Sequence, residues 1–275
     1  MKPHTLCAVY FSATGTTRTI VTAIVRRLAE QFNTPVKIFD ITLPEARKEP
    51  LSFTPGELVL LGVPVYAGRV PNLLLPYVSS LQGNAAMGIP LVLYGNRSFD
   101  DALMELRNTM EDSGFHTVAA GAFIGEHSFS RTLAAGRPDS SDQAIANGFA
   151  DQIASKISSL TDFQSLSPVS VPGNNPVGPY FRPAGRDGGH IDIRRVRPLT
   201  GDSCNDCKWC ANHCPMGAID FDNVREVPGI CIKCNACVKS CPVDAKYFAD
   251  PDYLFHRDDI VTRYQSPRKE PAYFL

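Results

Sequence analysis

The sequence predicts an α/β domain with a doubly wound five-stranded parallel sheet, followed by a second, small α+β module. Three observations carry this reading. Short apolar runs alternate with helix-period segments up to residue 162. A Pro/Gly-rich stretch without apolar period follows. Eight of the nine cysteines then crowd between Cys204 and Cys241.

The elements follow in order. Leu6–Phe11 reads as a buried strand, and TTRTIVTAIVRRLAEQF behind it sets apolar residues at helical spacing. Val36–Asp40 is the second strand, ELVLLGVPVY from Glu57 the third, Ile89–Gly95 the fourth and Thr117–Gly125 the fifth. PNLLLPYVSSL is predicted as a helix opened by Pro71, since a first turn has no use for the missing N–H. DDALMELRNTMEDSG is a helix ended by Gly114, and SSDQAIANGFADQIASKISSL is a helix capped by Ser140 or Ser141. Strands that are apolar throughout, with helices between them, imply a parallel sheet covered on both faces. Such sheets bind ligands beyond the carboxyl ends of their strands.

At 275 residues with 44% apolar content, the chain can bury a core in one large domain or two smaller ones. A net charge of −1 argues against nucleic acid or a membrane surface held by bulk charge. No run is apolar enough for insertion into a membrane. The opening MKPHTLCAVYFS leads into Ser-Ala-Thr-Gly rather than a cleavage site, so the expected location is cytoplasmic. Cys7 stands alone in the first strand and reads as an inert core residue.

The expected units are residues 1–162, a linker at 163–198, a cysteine module at 199–250 and a tail at 251–275. A flexible linker of that length spans about 35 Å. Tyr180 and Phe181 suggest that part of it packs down, and the module is expected to dock near the ligand edge of the sheet. Tyr253, Phe255, Tyr264 and Tyr273 mark the tail as a docking segment whose neighbour the sequence does not name.

Cys204, Cys207, Cys210 and Cys214 fit C-x2-C-x2-C-x3-C, with Pro215 next. Cys231, Cys234, Cys237 and Cys241 repeat the pattern before Pro242, without a gap in the alignment. Zinc sites use two C-x2-C pairs separated by a longer gap, and a reducing compartment disfavours disulfides. Thiolates at this spacing hold 4Fe-4S clusters, with the fourth cysteine of each run reaching the other cluster. That rule assigns Cys204, Cys207, Cys210 and Cys241 to one cluster, and Cys231, Cys234, Cys237 and Cys214 to the other. In each run the fourth cysteine is expected to begin a helical turn. About fifty residues here resemble bacterial two-cluster ferredoxins. The resemblance implies a short strand at Ala218–Asp222 and leaves His213 as a solvent-facing residue rather than a ligand.

YFSATGTTRT joins the first strand to the first helix. Ser12, Thr14, Thr16 and Thr17 supply hydroxyls, Gly15 allows close approach, and the helix start offers free amides suited to a phosphate. Neither G-x-x-x-x-G-K-S/T nor G-x-G-x-x-G is present, so a single monophosphate fits better than a triphosphate or a dinucleotide. A Thr-rich helix cap is the rival reading. The loop resembles the phosphate loop of flavodoxins, which implies FMN. Loops after the third and fourth strands would hold the ring, which puts forward Tyr66, Ala67, Gly68, Tyr94, Gly95, Asn96 and Arg97. Tyr66 or Tyr94 would stack on it. Flavodoxins surround the ring with acids, whereas this chain sets Arg69 and Arg97 there, either pointing to solvent or stabilising negative charge on a reduced flavin. Glu126 and His127, after the fifth strand, admit a catalytic role or a hydrogen-bonded loop pair.

Taken whole, the chain resembles flavodoxin–ferredoxin fusion proteins of anaerobic microbes. The resemblance implies an electron carrier between two 4Fe-4S clusters and FMN, with a redox protein as donor or acceptor. The alternative is a flavin-dependent reductase of a small substrate, its pocket lined by Arg69, Arg97 and His127. A zinc-bearing adaptor is the non-redox rival.

Overall fold

A computed structural model describes residues 2–162 and 167–275. Residues 163–166, where the expected linker begins, lie outside the described residues.

Six parallel strands form the main sheet: β1 (Thr5–Tyr10), β2 (Val36–Asp40), β3 (Glu57–Pro64), β4 (Met87–Tyr94), β5 (His116–Thr117) and β6 (Ala120–Ile124). Their order is β2-β1-β3-β4, with β5 and β6 both paired to β4. Counting β5 and β6 as one broken strand gives 2-1-3-4-5, the flavodoxin-like order. The single fifth strand expected at Thr117–Gly125 is thus two pieces. Thr117 still pairs with Gly88 of β4, and the break falls at Val118 and Ala119, beside a Thr117 whose N–H donates to Glu111 (2.7 Å) and whose carbonyl accepts from Val169 (3.2 Å).

Helices α1 (Thr16–Phe32), α2 (Leu75–Ser79), α3 (Ala102–Asp112) and α4 (Ser140–Ser159) cover both faces. Alternation along β1 assigns the cores. Leu6, Ala8 and Tyr10 pack with Ile24 of α1 and Phe149 of α4, while Cys7, Val9 and Phe11 share the other core with Leu103 and Leu106 of α3. Cys7 is fully buried, and burial pushes its thiol up to about 12. Two helix starts differ from expectation. Asp139, not Ser140 or Ser141, caps α4, accepting from the amides of Ser141 and Asp142 in a capping box. The carboxylate offers two acceptors where a serine offers one hydroxyl. Pro71 opens only a turn, its carbonyl accepting from Leu74 and Leu75, and α2 itself begins at Leu75 with Pro76 in the first turn.

In the cysteine module, β7 (Leu199–Thr200) pairs antiparallel with β8 (Lys246–Tyr247), and α5 (Trp209–Asn212) and α6 (Ala236–Lys239) are single turns. Each turn contains the third cysteine of its run and precedes the fourth, contrary to the expectation that the fourth begins it. Ala218–Asp222 is not a strand. It closes a tight loop in which Gly229 donates to Ala218 and Asp220 to Glu226. A Cβ on Gly229 would lie 2.6 Å from Ala218 Cα, so this close approach requires glycine.

The tail docks on its own chain. Asp250 caps α7 (Pro251–Tyr264), and β9 (Ala272–Phe274) adds an antiparallel strand to β6. Tyr273 stacks on Phe149 at 4.8 Å and Tyr253 on Phe248 at 4.4 Å. Among the described residues, no helix is long and apolar enough to cross a membrane.

Candidate redox site

The two cysteine runs repeat in backbone as well as sequence. Asp206 and Lys208 in the first, and Lys233 and Asn235 in the second, all take left-handed conformations (φ 56°, 60°, 55° and 59°). Paired left-handed residues curl each loop tightly around its first three cysteines. Amides follow the same symmetry: Ala218 donates to Cys214 Sγ and Ala245 to Cys241 Sγ, both at 3.2 Å.

One cavity in the module is lined by Cys214, Cys231, Cys234 and Cys237, walled by Ile219, Val227, Ile232 and Phe248. These four thiols are the set that the crossing rule puts together. Burial pushes Cys237 up to about 12 and Cys234 further, so a bare thiolate is disfavoured there until a cation offsets the desolvation. In the other set Cys210 is buried, Cys204 and Cys241 are half-buried, and Cys207 is exposed. His213 is exposed and stacks on Trp209 at 3.7 Å, away from any ligand role. Among the described residues, no three His, Cys, Asp or Glu side chains gather closely enough to hold a single metal ion.

A second cleft opens at the carboxyl ends of β1, β3, β4 and β6. Thr14, Thr16, Thr17, Tyr66, Tyr94, Gly95, Glu126 and His127 line it. Gly15 caps α1 at φ 90° with no side-chain cap, and the first turn carries no acid, which leaves the helix start open to an anion. Ser12 braces this loop: its Oγ accepts from Arg18 N (3.0 Å) and its N–H donates to Thr42 (2.9 Å). Gly125 approaches so closely that an added Cβ would lie 2.8 Å from Thr16 Cβ. Hydroxyls, an uncapped helix start and two tyrosines in one cleft fit a flavin phosphate and ring.

Other expected site residues have different partners. The buried Asn96 gives its amide to the carbonyls of Tyr264 (2.6 Å) and Pro267 (3.1 Å), and its oxygen accepts from Lys269 N (2.9 Å). Arg97 pairs with Asp100 and stacks on Phe181 at 4.6 Å. Neither expectation for Arg69 holds. It is buried against Glu105, with Nε to Oε2 at 2.8 Å, and lies 4.8 Å over Tyr180. Ala67 and Gly68 form the turn beside the cleft, at φ 51° and 78°.

The Pro/Gly segment folds back over that turn. Asp101 accepts from the amides of Asn174 and Gly178 (both 2.8 Å), Tyr180 Oη donates to Val70 O (2.9 Å), and Phe181 N donates to Ala67 O (2.8 Å). Sequence reasoning missed Asp101 and Glu105; a carboxylate between Met104 and Leu106 on the buried side of α3 was the available signal for Glu105. The module meets the same edge. Ile232, between Cys231 and Cys234, packs against the first domain's core, and Arg47 donates to Pro215 O (2.6 Å). Burial, reinforced by the negative charge that Cys234 and Cys231 would carry, pushes the Tyr66 hydroxyl well up.

Residues 225–247 match the 4Fe-4S binding domain family. No curated protein matches the sequence. A solved flavodoxin from the domain Archaea is similar at 16% identity and TM-score 0.40, over 56% of this chain and 99% of its own. Flavodoxin 1 from Bacillus cereus is similar at 11% and 0.42, over 57% and 99%. An apo NADH:FMN oxidoreductase is similar at 15% and 0.41, over 58% and 91%. The sheet order itself carries the fold assignment. A flavodoxin-like parallel sheet in the order 2-1-3-4-5 therefore stands in front of a segment that matches the 4Fe-4S binding domain family.

Proposed function

We propose that this chain is an electron carrier that joins two 4Fe-4S clusters to a bound FMN. One observation carries the reading: Ile232, flanked by Cys231 and Cys234, packs on the core beneath the cleft that Tyr66 lines. When bound, the clusters supply one-electron chemistry and the flavin one- or two-electron chemistry.

The chain's own residues set up that traffic. Cys214, Cys231, Cys234 and Cys237 would hold the inner cluster within apolar walls that exclude water. Cys204, Cys207, Cys210 and Cys241 would hold the outer one, and the exposed Cys207 marks where a redox protein partner would approach. Thr14, Thr16, Thr17 and the first amides of α1 would bind the phosphate, with Tyr66 and Tyr94 bordering the ring. Arg69 and Arg97, which a substrate pocket would need, are spent on Glu105 and Asp100, and this favours a carrier over a reductase. The working units are 1–162 and 199–250, joined by 163–198 and followed by 251–275, in a cytoplasmic protein.

Anaerobic purification followed by iron, sulfide and flavin analysis tests the reading. About eight irons, eight sulfides and one FMN per chain are expected. Zinc, or a single cluster's worth of iron, would overturn it.

A further inference from the structure

The loop after β6 brings Glu126 and His127 into the cleft beside Thr16 and Tyr66. The His127 backbone is held at both ends: its N–H donates to Leu133 O (3.1 Å) and its carbonyl accepts from Lys239 Nζ (2.7 Å). The ring is oriented as well. Nδ1 accepts from Phe129 N at 3.1 Å. A backbone amide can only donate, so Nδ1 carries no proton and the neutral ring holds its one proton on Nε2. Gly95 permits this ring position, since an added Cβ would lie 2.4 Å from His127 Cδ2.

Lys239 belongs to the other half of the protein. It ends α6, between Cys237 and Cys241, with its side chain only 11% exposed, and it forms an ion pair with Glu126. The turn that carries Cys237 is therefore bonded to both cleft residues of the loop.

We propose that His127 donates its Nε2–H to an acceptor atom of the cofactor in the cleft, and that Lys239 is a positioning residue tying this donor to the iron–sulfur module. The inference rests on the reading that the cleft holds FMN. Burial, and then the charges of Lys239, His256 and Arg97, hold the imidazole down to about 3, so the neutral donor persists across the physiological range. Glu126, the adjoining carboxylate of the loop, is bound to Lys239.

The test uses the full-length protein under anaerobic conditions, with FMN titrated into flavin-depleted samples and iron content as the control for folding. His127→Phe fills the space without a donor and is expected to weaken FMN binding about 10-fold and shift the flavin absorption bands. His127→Gln, which keeps a donor, is expected to stay within about threefold of the unsubstituted protein. Lys239→Met is expected to shift the bands in the same direction as His127→Phe, although Lys239 reaches the cleft only through the loop. Full iron with unchanged FMN affinity and spectrum in His127→Phe overturns the proposal. If that variant loses iron, Lys239→Met decides, and an unchanged flavin spectrum there overturns it. Failure of the unsubstituted protein to bind FMN overturns the reading of the cleft and the proposal together.

Discussion

Asn235, set between Cys234 and Cys237, donates its side-chain amide to the phenol of Tyr253 at 2.9 Å, so the tail helix is bonded to the loop that carries Cys231, Cys234 and Cys237. Both residues are buried, and Asn235 holds a left-handed conformation. Tyr253→Phe leaves an amide hydrogen without its acceptor in an apolar setting. We expect a loss of about 1–3 kcal/mol, read as a lower denaturation midpoint in anaerobic urea. An unchanged midpoint would show that the tail does not brace the module.

Arg69 and Glu105 form an ion pair with side chains 11% and 6% exposed, and Glu105 Oε2 also accepts from Val70 N at 2.9 Å. Glu105→Ala strands a buried guanidinium and should cost about 3–5 kcal/mol. The double variant Arg69→Met/Glu105→Leu should recover most of that loss, because it removes both desolvation penalties. Equal losses in the single and double variants would refute the pairing argument.

Cys214 precedes Cys231 by a long stretch of chain yet shares a cavity with Cys231, Cys234 and Cys237. Cys214→Ala should therefore damage the inner cluster and spare the outer one, leaving about four of eight irons. Cys210→Ala should do the converse. Iron analysis with low-temperature electron paramagnetic resonance separates the two. Loss of the same cluster in both variants would contradict the crossed ligand sets.

His256 is 4% exposed, and its buried Nδ1 has no hydrogen-bond partner among the described residues. Burial lowers it to about 4, from an ordinary value near 6.5. Between those values the unfolded chain binds the proton that the folded chain refuses, so stability falls as pH falls. The slope from this residue should approach about 1.4 kcal/mol per pH unit between pH 6 and 4.5. His256→Phe, which keeps the stacking partner of Phe181 aromatic, should flatten it. Denaturant melts across that range measure the slope, and equal slopes would exclude His256 as the source.

Much of the site could be read from contiguous residues. The phosphate loop is one uninterrupted segment between a strand and a helix, and its openness to anions follows from a helix start whose capping residue, Gly15, has no side chain to offer. The ring loops were harder. Tyr66 and Tyr94 line the cleft, but Asn96 and Arg97 sit one and two residues past a correctly placed glycine and face elsewhere. Loop side chains choose between partners that lie within a few ångströms of each other, and sequence position does not rank them.

The fold class, the two cysteine runs and the order of the parts were settled by sequence alone. Each rests on a short-range property: the period of apolar residues, the reach of a C-x2-C loop, the composition of a stretch. Tertiary structure alone decided that Arg69 meets Glu105, that Glu126 meets Lys239 and that Asn96 meets Lys269, partners 36, 113 and 173 positions apart. It also decided that the last strand closes on β6. Contacts of that range are selected by which surfaces remain unburied once the sheet and the module have formed, and no local pattern encodes that remainder.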